Sequence, residues 1–99
     1  MLYVIYGIDA PGSGPRRADA RPAHLERLQA LHREGRIAMV GPLPVIDAPS
    51  LEGGIAGSLI VAEFESLDAA KAWVAADPYT EAGVYASVDI RPFLRLTLS

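Results

Sequence analysis

The sequence contains no cysteine, which removes disulfides, thiolate nucleophiles and cysteine-ligated zinc from consideration. It has no basic surplus either. Nine Lys and Arg face twelve Asp and Glu, a formal charge of −3, so nucleic-acid binding, which needs a basic footprint, is not expected. No apolar run approaches the roughly 20 residues that cross a bilayer, and no membrane span is expected. The apolar opening "MLYVIYGID" lacks a basic n-region and a small-residue cleavage site. It reads as a strand, and a cytoplasmic location is the expectation.

Motifs for cofactors are equally scarce. "GSGPRR" has glycine and arginine but neither GxxxxGKS/T nor GxGxxG spacing, so a phosphate cradle has little support. The two histidines, His24 and His32, stand eight residues apart on one expected helix. At 1.5 Å rise that is about 12 Å, too far to share a metal. Neither a metal nor a cofactor is expected.

What the chain does have is apolar residues, 51% of 99, high for a small soluble monomer. One domain over residues 1–99 fits this length, and the apolar excess reads as surface meant for a second copy. A homodimer is the expected assembly.

Leu2 to Ile8, rich in β-branched and aromatic residues, reads as the first strand. "DAPGSGPRRADA" reads as a loop whose arginines begin at most a short helical turn. The first main helix is expected from Pro22, acceptable in a first turn, to about Glu34, with Gly35 as its stop. Leu25, Leu28 and Leu31 form its buried stripe. "RIAMVGPLPVI" is the second strand, with Gly41-Pro42 suggesting a bulge or an edge, and "SLIVAEFES" is the third. Ser66 caps a helix from Leu67 to about Asp77, a short turn follows over Pro78 to Gly83, and "VYASVDIRPFLRLTL" is the last strand. The order βαββαβ gives an α+β, ferredoxin-like sheet with both helices on one face. Its other face would be covered by a second sheet.

In that topology the helices run antiparallel, so the start of the first lies beside the finish of the second. His24 falls about 40° from the centre of the leucine stripe and projects toward the sheet. Asp77 lies within the arc of Leu67, Ala70, Trp73 and Val74. The two are candidates for a catalytic His–Asp pair, with His24 as general base and Asp77 fixing its tautomer and stabilising the imidazolium. Plainer roles exist: Asp77 before Pro78 resembles an N-cap, and His24 resembles a core-edge histidine. His32, in the last helical turn, reads as structural. Ser13, Ser50, Ser58 and Thr80 are available hydroxyls, but none stands in a GxSxG motif, so proton abstraction is favoured over acyl transfer. Glu63 and Glu65 share a strand face and read as solvated. Arg21, ahead of the helix, is a candidate anion contact, and Gly41, Pro42 and Tyr79 are expected to line the same end.

"RPAHLERLQALHREGRIAMVGPLP", "GSLIVAEFESLDAAKAWVAADPY" and "AGVYASVDIRPF" together resemble the YciI-like (YCII-related) family over nearly the whole chain. The resemblance implies a dimeric α+β barrel with a ferredoxin-like subunit. It also implies an active site built on a histidine and an aspartate, which fall on His24 in "RPAHL" and Asp77 in "ADPY". The chemistry implied is dehydrochlorinase-like, a lyase reaction in which a base removes a proton as chloride departs. The expectation is a small-molecule enzyme. The competing expectation is a non-catalytic dimer that binds or senses a small ligand, since neither nucleophile nor cofactor motif is evident.

Overall fold

A computed structural model describes residues 1–99. The elements are β1 (Leu2–Asp9), α1 (Gly14–Arg33), β2 (Ile37–Pro44), β3 (Ile55–Glu63), α2 (Leu67–Ala75), α3 (Pro78–Glu81) and β4 (Tyr85–Phe93). The four strands form one antiparallel sheet in the order β2-β3-β1-β4. This is the ferredoxin-like arrangement that the element order predicts.

Strand alternation divides the sheet into two faces. Tyr3 and Ile5 of β1 stand opposite Ala62 and Ile60 of β3 on the helix side. With Phe64, Leu28, Leu31, Ala70 and Val74 they make the core. Ile60 is only 2% exposed. A side chain of that kind contributes about 1.5–3 kcal/mol when fully buried. On the opposite face Val4, Tyr6 and Ile8 line up with Val61, Leu59 and Gly57, and Met39 pairs with Val61 from β2. Here Tyr6 and Ile8 are each 44% exposed and Met39 is 57% exposed. Over β1, β2 and β3 that face is apolar and uncovered, while β4 adds Ser87, Asp89 and Arg91 to it.

Three expectations are corrected. Helix α1 begins at Gly14, not Pro22, so the arginines of "GSGPRR" lie within it and do not stand in a loop. Pro15 takes the first-turn position, and Pro22 sits inside the helix. A proline there removes one backbone donor and strands the carbonyl four residues back. Pro22 and Ala18 are both exposed, so water can serve that carbonyl. Helix α2 stops at Ala75, and Asp77 is therefore not in its last turn but at the N-cap of α3. Strand β4 ends at Phe93, leaving Leu94, Leu96 and Leu98 between 77% and 83% exposed. Strand β2 is an edge as expected, but its irregularities flank Gly41-Pro42 and do not fall on it.

Candidate active site

Helix α1 buries Arg17, His24, Leu28 and Leu31, one stripe that recurs at helical spacing. Its upper half is polar, and the site is built there. His24 Nδ1 lies 2.8 Å from Asp77 Oδ1 and 3.0 Å from Oδ2. Both residues are buried, at 4% and 2% exposure. An ionised carboxylate only accepts, so Nδ1 carries a proton, and in the neutral ring the lone pair is then on Nε2. That is the tautomer a general base needs.

Asp77 serves two masters. Its Oδ1 also accepts the Tyr79 backbone N–H at 2.9 Å, capping the single turn of α3. The one carboxylate thus caps α3 and contacts His24 at the same time. Oδ2 accepts from Arg27 Nη1 at 3.2 Å, and that guanidinium is held by the Trp73 carbonyl and lies over the Trp73 ring. Both carboxylate oxygens are engaged, which fixes the orientation of the group. The Tyr79 ring in turn stacks on His24, centroids 3.8 Å apart and planes 16° from parallel.

Two turns earlier, Arg17 forms a forked pair with Asp9, from Nε to Oδ2 and from Nη2 to Oδ1, both at 2.8 Å. Nη2 also donates to Ser58 Oγ at 2.9 Å, and the guanidinium lies 4.6 Å from the Tyr79 ring centroid. Burial opposes the Arg17 charge, but the Asp9 bond and charge outweigh it and the pKa rises. Tyr79 is likewise pushed up, by burial first, against the pull of the Arg17 charge.

Tyr85 closes the cluster. Its ring meets Tyr79 edge-on at 5.9 Å and covers Gly7, where an added Cβ would come within 2.6 Å of it. Burial pushes its phenol up to about 12. The folded chain then holds this proton more tightly than the unfolded chain, whose tyrosine titrates near 10.0. The contribution to stability is fully present below pH 10.0 and is lost as pH rises through about 12. Urea midpoints measured at stepped alkaline pH should fall across that window, and Tyr85→Phe should flatten the decline.

Asp9, Arg17, His24, Ser58 and Tyr79 help line a cavity of about 480 Å³ between α1 and the inner face of β2 and β3. Its lining brings together Arg21, His24, Gly41, Pro42 and Tyr79, five of the six residues singled out in the sequence, while Asp77 lies behind His24. Two placements differ from expectation. Arg21 lies inside α1, one turn before His24, because the helix starts early; it is exposed and has no ion-pair partner. His24 is mid-helix, so the N-terminal dipole of α1, which fades beyond the first turn, does not act on it. His32 is exposed in the last turn, away from the cavity.

The sequence assigns Asp9, Arg17 and Arg27 to no site, and Ser58 is one hydroxyl among four. Arg17 had a signal: it stands seven residues before His24, on the same helical face. No group of three or more His, Asp or Glu side chains converges as a metal site. A base backed by a carboxylate, facing a cavity with an unpaired cation, can take a proton from a small anion.

With this geometry in hand, the relatives are informative. The chain is 52% identical to Protein YciI of Escherichia coli O6:H1 over 97 residues, covering 97% of this chain and 99% of that one. It is 48% identical to an uncharacterised protein of Haemophilus influenzae over 98 residues, with 97% and 99% covered. Among solved structures, 5-chloro-2-hydroxyhydroquinone dehydrochlorinase from Burkholderia phenoliruptrix AC1100, in complex with 2,5-dihydroxybenzoquinone, superposes with a TM-score of 0.86. It shares 33% identity, over 95% of this chain and 94% of that one. The YCII-related domain matches residues 1–94, and the chain belongs to the YCII-related family.

Proposed function

We propose that this chain is a small-molecule enzyme in which His24 abstracts a proton and Asp77 orients and charges the base, in a lyase reaction of the dehydrochlorinase type. The buried 2.8 Å contact between Nδ1 and the carboxylate is the observation that supports it most directly. Nε2 takes a proton from the substrate, and the electron pair left behind is pushed toward the carbon bearing chlorine. Chloride leaves with the carbon–chlorine pair, and the net loss is HCl. Asp77 stabilises the imidazolium as it forms. Arg21 meets the anionic part of the substrate, and Gly41, Pro42 and Tyr79 shape the floor.

The test is chloride release from 5-chloro-2-hydroxyhydroquinone by the purified chain, followed with a halide electrode beside a panel of unhalogenated phenols and keto acids. Release that stops in His24→Ala supports the proposal. Compounds that bind and emerge unchanged would support a ligand-binding dimer instead.

The working unit we propose is a cytoplasmic homodimer that joins the uncovered sheet faces. Tyr6, Ile8 and Met39 present an apolar surface there, and covering such a patch is a common driving force for association. Light scattering should give twice the chain mass for the native protein. Met39→Glu, which puts a charge on that face, should shift it toward one. A native protein that runs as a monomer would end the dimer proposal.

A further inference from the structure

The cavity wall formed by the sheet carries a hydroxyl whose surroundings are unusually constrained. Ser58 sits on the inner face of β3, 6% exposed, and lines the cavity that His24 enters from α1. Its Oγ accepts from Arg17 Nη2 at 2.9 Å. The Tyr85 phenol is its other neighbour, and their side-chain hydrogen bond opposes the rise that burial gives the phenol. A serine with its oxygen occupied by a cation turns its own proton elsewhere. Two directions are open to it, the Tyr85 phenol and the cavity that Ser58 lines.

Two further facts narrow the role. Arg17 has no basicity to lend, and His24 bonds Asp77, not Ser58, so nothing is placed to activate Ser58 as a nucleophile. A guanidinium on Oγ instead polarises the hydroxyl and makes it a stronger donor. The charge balance of the cavity is also uneven. Arg17 is neutralised by the forked bond to Asp9, and Asp77 by Arg27 and its contact with His24. Arg21 alone keeps an unbalanced charge.

We propose that Ser58 is the specificity-determining donor of this site: it hydrogen-bonds an oxygen of a small anionic ring compound whose charge is met by Arg21. Arg17 and Asp9 are positioning residues that act through Ser58. The inference rests on the proton-abstraction reading for its substrate class, and it adds which atoms hold the substrate.

Titration calorimetry with 2,5-dihydroxybenzoquinone, an acidic hydroxyquinone that is anionic at neutral pH, tests it on the full chain. Ser58→Ala should weaken Kd by about tenfold or more, the usual loss for a buried bond to a charged partner. Ser58→Thr, which keeps the hydroxyl, should restore most of the affinity, and the apo unfolding temperatures should stay close together. Arg21→Met, a change on an exposed side chain, should also weaken binding and remove its salt dependence. Undiminished binding by Ser58→Ala, or no binding by the native chain, overturns the inference. Turnover separates the two claims. Chloride release that needs His24 but is indifferent to Ser58 leaves the base standing and removes the anchor; quinone binding that needs Ser58 without any turnover does the reverse.

Discussion

His24→Ala should lower turnover by about 10²–10⁴-fold, the range a positioned acid–base group contributes. The fold should survive. His24 contributes a ring stacked on Tyr79 and one bond to Asp77, while the main core cluster is built from Tyr3, Ile5, Leu28, Leu31, Ile60, Ala62, Phe64, Ala70 and Val74. Circular dichroism and urea unfolding of the variant check this second half. Asp77→Asn separates two tasks that the aspartate combines. Asparagine caps a helix about as well as aspartate, so α3 should persist. It supplies no charge to the imidazolium and no longer dictates which ring nitrogen is protonated. Nitrogen NMR of the imidazole should show the Nδ1-protonated form dominating the native protein and losing that dominance in Asp77→Asn, with turnover falling in parallel. A His24→Ala variant as active as the native chain would end the mechanism.

The largest effect on stability is expected from Arg17→Met. The substitution preserves most of the length and apolar stem of the side chain but leaves the Asp9 carboxylate, 7% exposed at its side chain, without its forked partner. Removing one member of a buried pair costs about 3–5 kcal/mol. A domain of this size is stable by only about 5–15 kcal/mol in total, so the urea midpoint should fall steeply. The double variant Arg17→Met/Asp9→Asn should recover part of the loss, because no uncompensated charge then remains in the wall. The cycle of single and double variants measures that coupling. A loss below about 1 kcal/mol would match an exposed pair and contradict the burial described.

These two experiments fall on residues of very different legibility. The strands and the second helix announce themselves through alternation and the Ser66 cap, which accepts from Ala69 N at 3.0 Å. His24 and Asp77 could be brought near each other because topology sets the two helices side by side, although His24 lies mid-helix and Asp77 falls past the end of α2. The first half of α1 was concealed. Two glycines and two prolines in "PGSGP" look like loop punctuation, and the residue that anchors that half to the sheet is an arginine. A periodicity search tuned to apolar residues starts at Leu25 and overlooks Arg17, although the burial stripe passes through both ends. Its partner Asp9 lies at the end of β1 and Ser58 in the middle of β3, so the trio exists only after the sheet has formed. Charged residues buried by mutual pairing leave no compositional trace, and Arg27, which bridges α1 to the Trp73 carbonyl, is hidden for the same reason.

The double engagement of Asp77 carries a constraint on how this protein can change over time. One carboxylate both closes the first backbone turn of α3 and touches the imidazole. Under the proposed mechanism architecture and reactivity share a single side chain, and a change that serves one reaches the other. Descendants can freely remodel the cavity's far rim, around the connection after β2, to suit new compounds. The cap needs only a side-chain oxygen, which asparagine also supplies, so it is the proposed chemistry that demands the charge.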